Sequence, residues 1–330
     1  VLLRWRRELQ VNADIEIAVL REDSALPALV TPRAPAMPLA ALDEHWRDID
    51  GLLPVHGGVL LRGFTCDDAQ AFRTFVAGLG QPLLSYEFGS TPRTQLSQGV
   101  YTSTEYPAHQ AIPLHNEQSY TREWPLRIFF HCVQQATEGG NTPIGDSRLI
   151  YRRIEPALRA RFADKGLLYV RNFGNGFDVP WQQVFNTQDR AVVENYCLHH
   201  DIAWEWKSDG ELRTRQRCQA VAAHPRTGDV VWFNQAHLFH VSNLGEELRT
   251  VLLETLGEAD LPRNVYYGDG SPIEDDALAQ VRDVLASCEI QFPWQAGDVL
   301  VLDNMLAAHG RTPFKGPRKV VVAMTDGHGP

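Results

Sequence analysis

Val299-Leu-Val-Leu-Asp-Asn-Met-Leu-Ala-Ala-His-Gly-Arg311 opens with a short apolar run, breaks at Asp303-Asn304, and brings a histidine after the turn. Val299–Asp303 reads as a short strand, and Arg318-Lys-Val-Val-Val-Ala-Met-Thr325 as a last one. Working outward, runs of the same kind recur at Gly58–Phe64, Arg127–Val133, Gly166–Phe173, Ile202–Trp206 and Val230–Asn234. Helical spacing is sparser. It covers Leu39–Leu53, a stretch opened by Asp67 and Asp68 and running to Leu79, Arg148–Ile154 with Ser147 as its cap, residues 187–198, and Pro272–Cys288. Many short strands with few helices predict a mainly β fold: a double-stranded β-helix, or jelly roll, carrying helical insertions. Pro27, Pro32, Pro35 and Pro38 break up the start of the chain. Residues 1–38 are therefore expected to form an N-terminal arm or a short edge element. The Gly- and Asn-rich stretch Asn172–Trp181 reads as a loop and a candidate lid.

Composition narrows the function. The chain has 330 residues, 44% hydrophobic and 22% charged, enough to bury a core without staples. A formal net charge of −10 argues against nucleic-acid binding, which needs a basic footprint. The basic clusters Arg4, Arg6, Arg7 and Arg213, Arg215, Arg217 read as solvated faces. Five cysteines (Cys66, Cys132, Cys197, Cys218 and Cys288), with no CxxC pair, read as reduced thiols of a cytoplasmic protein. No apolar run is long enough to span a bilayer, and the first residues lack the order of a signal peptide.

Chemistry concentrates in Ile112-Pro-Leu-His-Asn-Glu-Gln-Ser-Tyr120. His115 and Glu117 are two apart, so on extended backbone their side chains project to one side. His309 supplies a third ligand. Two histidines and one carboxylate bind Fe(II) on one face and leave three coordination positions open. His-x-Glu alone is more often a pair of polar loop residues, and the distal histidine alone is a weaker signal still. A co-substrate with a distal carboxylate would need a fixed cation, and Arg318 is placed to grip it, with Thr142 after the Gly139-Gly140 turn as hydroxyl donor and Arg311 as the alternative clamp. His199, His200, His237 and His240 read as structural.

In order along the chain, Leu-His115-Asn-Glu117, Gly139-Gly-Asn-Thr142, Trp294-Gln-Ala-Gly-Asp-Val-Leu-Val-Leu-Asp-Asn304, His309-Gly-Arg and Arg318 resemble the taurine dioxygenase/TfdA superfamily of Fe(II)/2-oxoglutarate oxygenases. The similarity spans roughly Val59 to Asp326. Ser90-Thr-Pro-Arg93, Val100-Tyr-Thr-Ser-Thr-Glu-Tyr-Pro107, His115-Asn-Glu-Gln-Ser-Tyr120, Thr142-Pro-Ile-Gly-Asp-Ser-Arg148 and Trp232-Phe-Asn-Gln235 also resemble hydroxylases of nonribosomal peptide pathways typified by the syringomycin aspartyl hydroxylase.

That resemblance implies a jelly-roll oxygenase domain over residues 39–330. It implies Fe(II) on His115, Glu117 and His309, 2-oxoglutarate held by Thr142 and Arg318, and O₂ as oxidant. The implied reaction is hydroxylation, at the β-carbon, of an amino acid, free or tethered as an aminoacyl thioester to a peptidyl carrier protein, in antibiotic or other natural-product biosynthesis. Arg93, Tyr106 and Asn234 are the expected substrate contacts. Halogenating relatives carry a small residue where Glu117 stands, so the filled position implies hydroxylation and not halogenation. A desaturase or cyclase begins with the same hydrogen abstraction. A non-catalytic binding module and a zinc hydrolase using the same ligands are the remaining alternatives.

Overall fold

The computed structural model describes residues 14–329 except 86, 87, 90–92, 105 and 175. The Arg4, Arg6, Arg7 cluster, residues 90–92 and Glu105 of the quoted strings, and the first part of the expected arm lie outside the described residues.

Eight strands form the main sheet. Their spatial order is Ile15–Arg21, Ser24–Pro32, Gly58–Leu61, Val299–Asp303, Trp124–Gln134, Lys319–His328, Val100–Thr102 and Gln95–Ser97. The opening stretch sits in the middle of it, with Val301 opposite Phe129 on one side and Val59 on the other. Alternation explains why these strands are apolar without a break. Val299 and Val301, Val59 and Leu61, Val321 and Ala323 face one cluster with Phe72, Phe75 and Leu42 from the helical layer. Leu300 and Leu302, Leu60, Ile128, Phe130, Val320 and Val322 face the opposite cluster, which contains Ile144, Ala307 and Trp294. A sheet covered on both faces needs apolar residues at successive positions.

Against that second face lies a three-stranded sheet in the order Ile112–His115, Ala307–Arg311, Ile144–Asp146. The mainly β architecture with a jelly-roll core and helical insertions is what the sequence predicts. A four-stranded sheet in the order Ile202–Trp206, Leu212–Cys218, Leu167–Phe173, Arg263–Tyr267 packs with helices around a separate core cluster that includes Phe162, Tyr169 and Trp232. Among the described residues no helix is long and apolar enough to cross a membrane.

Three local readings change. Residues 15–32, expected as an arm or short edge element, form a hairpin at the edge of the main sheet, and Ser24–Pro32 pairs in parallel with Gly58–Leu61. Ile15, Ala28 and Val30 are fully buried in its core, so burial overrides the prolines. The helix beginning at Ser147 is capped by Asp146, whose carboxylate accepts from the N–H groups of Arg148 and Leu149; Ser147 lies inside it. Leu39–Leu53 is not one helix. It divides into a 3₁₀ turn at Leu39–His45, a helical turn at Trp46–Asp50 and another beginning at Leu53. Arg213, Arg215 and Arg217 occupy alternate positions of the strand Leu212–Cys218, while Leu212, Thr214, Gln216 and Cys218 are buried.

Candidate metal centre and its two pockets

Two paired strand positions and the turn that follows one of them build the site. His309, on the middle strand of the three-stranded sheet, is the direct partner of His115 on one side and Ile144 on the other. The two imidazole rings lie with centroids 4.5 Å apart. Glu117 follows His115 by two residues, in the turn after the strand, and only 4% of it is exposed. One donor atom from each of His115, Glu117 and His309 lies within 4.8 Å of the others, and among the described residues this is the group of His, Cys, Asp or Glu side chains placed to hold a metal ion. Two imidazoles and one carboxylate are the donor set that suits a divalent iron with open positions.

Hydrogen bonds fix how each ligand presents itself. His115 Nδ1 is 2.9 Å from the Pro113 carbonyl, which can only accept. The proton therefore sits on Nδ1, and Nε2 keeps the lone pair a metal needs. Burial holds the pKa of both imidazoles below the ordinary histidine value, strongly so for His309, where His115 and the Arg93 charge push the same way. Neutral rings are the metal-binding form. Glu117 Oε2 accepts from Arg93 Nη2 at 2.6 Å and lies 3.8 Å from His309 Nε2. Phe130, reaching across from the main sheet, packs on His309 at 4.9 Å between ring centroids and closes the dry side of the site.

Two spaces meet at His115. A narrow one runs between the sheets past Phe130, His309, Thr142, Val320 and Val322 to Arg318. Trp294 Nε1 donates to Thr142 Oγ1 at 3.1 Å, which leaves the threonine hydroxyl proton to be given elsewhere. Arg318 is steered by its Nε bond to the Gly140 carbonyl at 2.8 Å. No carboxylate among the described residues pairs with it, and burial, with Arg311 nearby, lowers its pKa to about 10. It stays charged at neutral pH, and a guanidinium so placed is built for an anion. Arg311, the alternative clamp, is occupied otherwise. Its Nη atoms donate to the carbonyls of Tyr106, Pro107 and Gln110, so it pins that loop.

The second space is a cavity of about 340 Å³ beside His115 and Glu117, bounded further out by Gln235, Phe239 and Arg263. Arg93 and Tyr106, two of the three residues expected to meet the substrate, line it, with Tyr106 at the exposed rim. Asn234 does not line it. Its amide is used internally, Nδ2 donating to the Ala220 carbonyl and Oδ1 accepting from the Ala236 N–H. The wall residue is its neighbour Gln235, whose Nε2 donates to the Asn116 carbonyl. His237 and His240 are structural: His237 Nε2 bonds the Leu114 carbonyl, and His240 Nδ1 caps Ser242 N–H. The Asn172–Trp181 loop is tied to the cavity wall by the Asp178–Arg263 ion pair. Sequence reading missed Asn304, Trp294 and Phe130 as parts of the site, although the first two stand in the Trp294–Asn304 string and a polar Asp-Asn pair ending an apolar strand was a visible signal.

Comparisons with known proteins identify the family. Residues 27–324 match the model of the taurine catabolism dioxygenase TauD, TfdA family. The chain is 43% identical over 289 residues to the dapdiamide synthesis protein DdaC of Enterobacter agglomerans, covering 87% of this chain and 88% of that protein. It is 31% identical over 324 residues to a clavaminate synthase-like protein of Arabidopsis thaliana, covering 92% and 94%. Among solved structures, PvcB of Pseudomonas aeruginosa matches with a TM-score of 0.57 at 17% identity, covering 96% of this chain and 93% of PvcB.

Proposed function

The chain belongs to the taurine catabolism dioxygenase TauD, TfdA family, the Fe(II)- and 2-oxoglutarate-dependent dioxygenases, and from that premise we propose that it hydroxylates an unactivated C–H of an amino acid, at the β-carbon, free or tethered as a carrier-bound aminoacyl thioester, in a natural-product pathway. The observation that carries this reading is the convergence of His115, Glu117 and His309 at the junction of a narrow cation-ended pocket and a separate cavity. Two compartments sharing one metal suit a reaction with two organic substrates. The relation to a dapdiamide synthesis protein supports a place in antibiotic assembly.

In this reading His115, Glu117 and His309 hold Fe(II), which supplies the oxidising chemistry once 2-oxoglutarate and O₂ are bound. The protein's own residues do the rest. Thr142 and Arg318 hold the distal carboxylate of 2-oxoglutarate, one with a hydroxyl proton and the other with a guanidinium. Phe130, Val320 and Val322 keep water from the channel between the clamp and the metal. Arg93 pairs with Glu117 Oε2, the oxygen that faces His309, and lines the cavity, where it would position the substrate.

Mass spectrometry of a reaction panel, with each amino acid offered free and loaded on a carrier protein, tests the proposal. A gain of one oxygen coupled to succinate release, in one of the two formats, is the expected result. Loss of two hydrogens instead would make the enzyme a desaturase. Activity with Zn(II) and no 2-oxoglutarate would replace the reading with a hydrolase. Ligand binding without turnover across the panel would leave a binding module.

A further inference from the structure

We infer that Asn304 is the positioning residue of the metal-binding carboxylate, and that by fixing the backbone of Glu117 it makes the site specific for a glutamate and intolerant of aspartate; this rests on the metal reading of the triad given above.

Asn304 is fully buried at the end of the strand Val299–Asp303. Its side-chain amide grips the main chain of Glu117 on both sides. Oδ1 accepts from the Glu117 N–H at 2.7 Å, and Nδ2 donates to the Glu117 carbonyl at 2.9 Å. The second Nδ2 hydrogen goes to the Pro125 carbonyl at 2.9 Å. Asn304's own peptide is held as firmly, its N–H by the Leu126 carbonyl and its carbonyl by Asn116 Nδ2 at 2.6 Å. The turn bearing Glu117 contains Gln118 at a φ of 54°, a conformation an unsupported glutamine rarely adopts, so the main chain there needs such a fixture.

The fixture is itself anchored. Asp303 Oδ1 accepts from the N–H groups of Met305 and Leu306, and its Oδ2 is 2.9 Å from His224 Nε2. His224 Nδ1 accepts from the Arg226 and Thr227 N–H groups, so its proton is on Nε2 and it donates to Asp303. A line of buried hydrogen bonds thus runs from His224 through Asp303 and the turn to Asn304 and the Glu117 backbone. His115 and His309 are meanwhile set by strand pairing. The Glu117 backbone has no strand partner, and Asn304 stands in for one.

Because the Cα of Glu117 cannot advance, a side chain shorter by one methylene cannot bring its oxygen to the same point. Mn(II) binding to the purified full chain, without oxygen or substrate, reads this directly, with the thermal midpoint of the metal-free protein recorded for each variant. Asn304→Ala is expected to weaken Mn(II) binding by roughly ten- to a hundredfold, the usual effect of losing a group that orients a ligand. Glu117→Asp should weaken it at least as much. The double variant should lose clearly less than the product of the two, because a released backbone lets aspartate approach. Asn304→Ser gives a milder test if Asn304→Ala does not fold. Mn(II) affinity within twofold of the parent in a folded Asn304 variant, or strictly multiplicative losses in the double variant, would overturn the inference. His115→Ala separates this from the parent reading: if it leaves Mn(II) affinity unchanged, the triad is not the metal site, whereas if it abolishes binding while Asn304→Ala does not, only the role of Asn304 falls.

Discussion

Two arginines seven residues apart show how far residue type alone carries. Arg318 is the expected clamp in the sequence and Arg311 its alternative; three backbone carbonyls consume Arg311, and none of the described carboxylates pairs with Arg318. Arg318→Ala should therefore raise the KM for 2-oxoglutarate by about ten- to a hundredfold, the worth of a charge-assisted hydrogen bond. Arg311→Ala should lower stability by freeing the loop at 106–110 while changing that KM far less. Steady-state kinetics at varied 2-oxoglutarate, together with melting curves, check both, and a larger KM effect at Arg311 would reverse the assignment. His115 and Glu117 were legible as a half-site because ligand chemistry restricts residue types, whereas His309 joined them only through the family strings around it. Asn234 misled because its neighbour faces the cavity, and which of two adjacent residues does so depends on a short helix, Ala236–Phe239, too brief to leave a period in the sequence.

At the level of strands, apolar runs were readable where both faces are covered, as in Val299–Asp303 and Lys319–His328. The hairpin Ile15–Pro32 was not, because its prolines point to an irregular arm and only the neighbouring strand Gly58–Leu61 gives it a place. Likewise Leu212–Cys218 hides its buried positions under small and polar residues among arginines. The pairing that joins His115 to His309 makes its own demand. A Cβ on Gly310 would sit 2.5 Å from the Ile112 carbonyl oxygen. Gly310→Ala must push the two ligand-bearing strands apart and should cost about 1–3 kcal/mol. Metal affinity should fall with it. Gly78→Ala, at the end of the helix Ala69–Gly78 with only ordinary contacts, should leave both unchanged or gain slightly. Equal behaviour of the two variants in denaturant melts would mean the strands have more room than the structure shows.

Across the whole molecule, buried histidines make the metal-free fold sensitive to acid. Burial lowers His237 to about 3 and His240 to about 4, against an unfolded value near 6.5. Between those limits the unfolded chain binds protons that the folded chain refuses, so their stabilisation is complete above pH 6.5 and drains away as pH falls. From pH 7.5 to 5 each should remove about 2 kcal/mol. Urea melts at pH 7.5 and pH 5 test this, and a flat stability over that range would contradict it. The ion pair between Arg93 and Glu117 carries a different consequence. The acid at the centre of the molecule already has a positive partner before any metal arrives. With both imidazoles neutral, the glutamate and its guanidinium cancel, so the pocket would offer an incoming divalent ion a donor set with almost no net charge of its own.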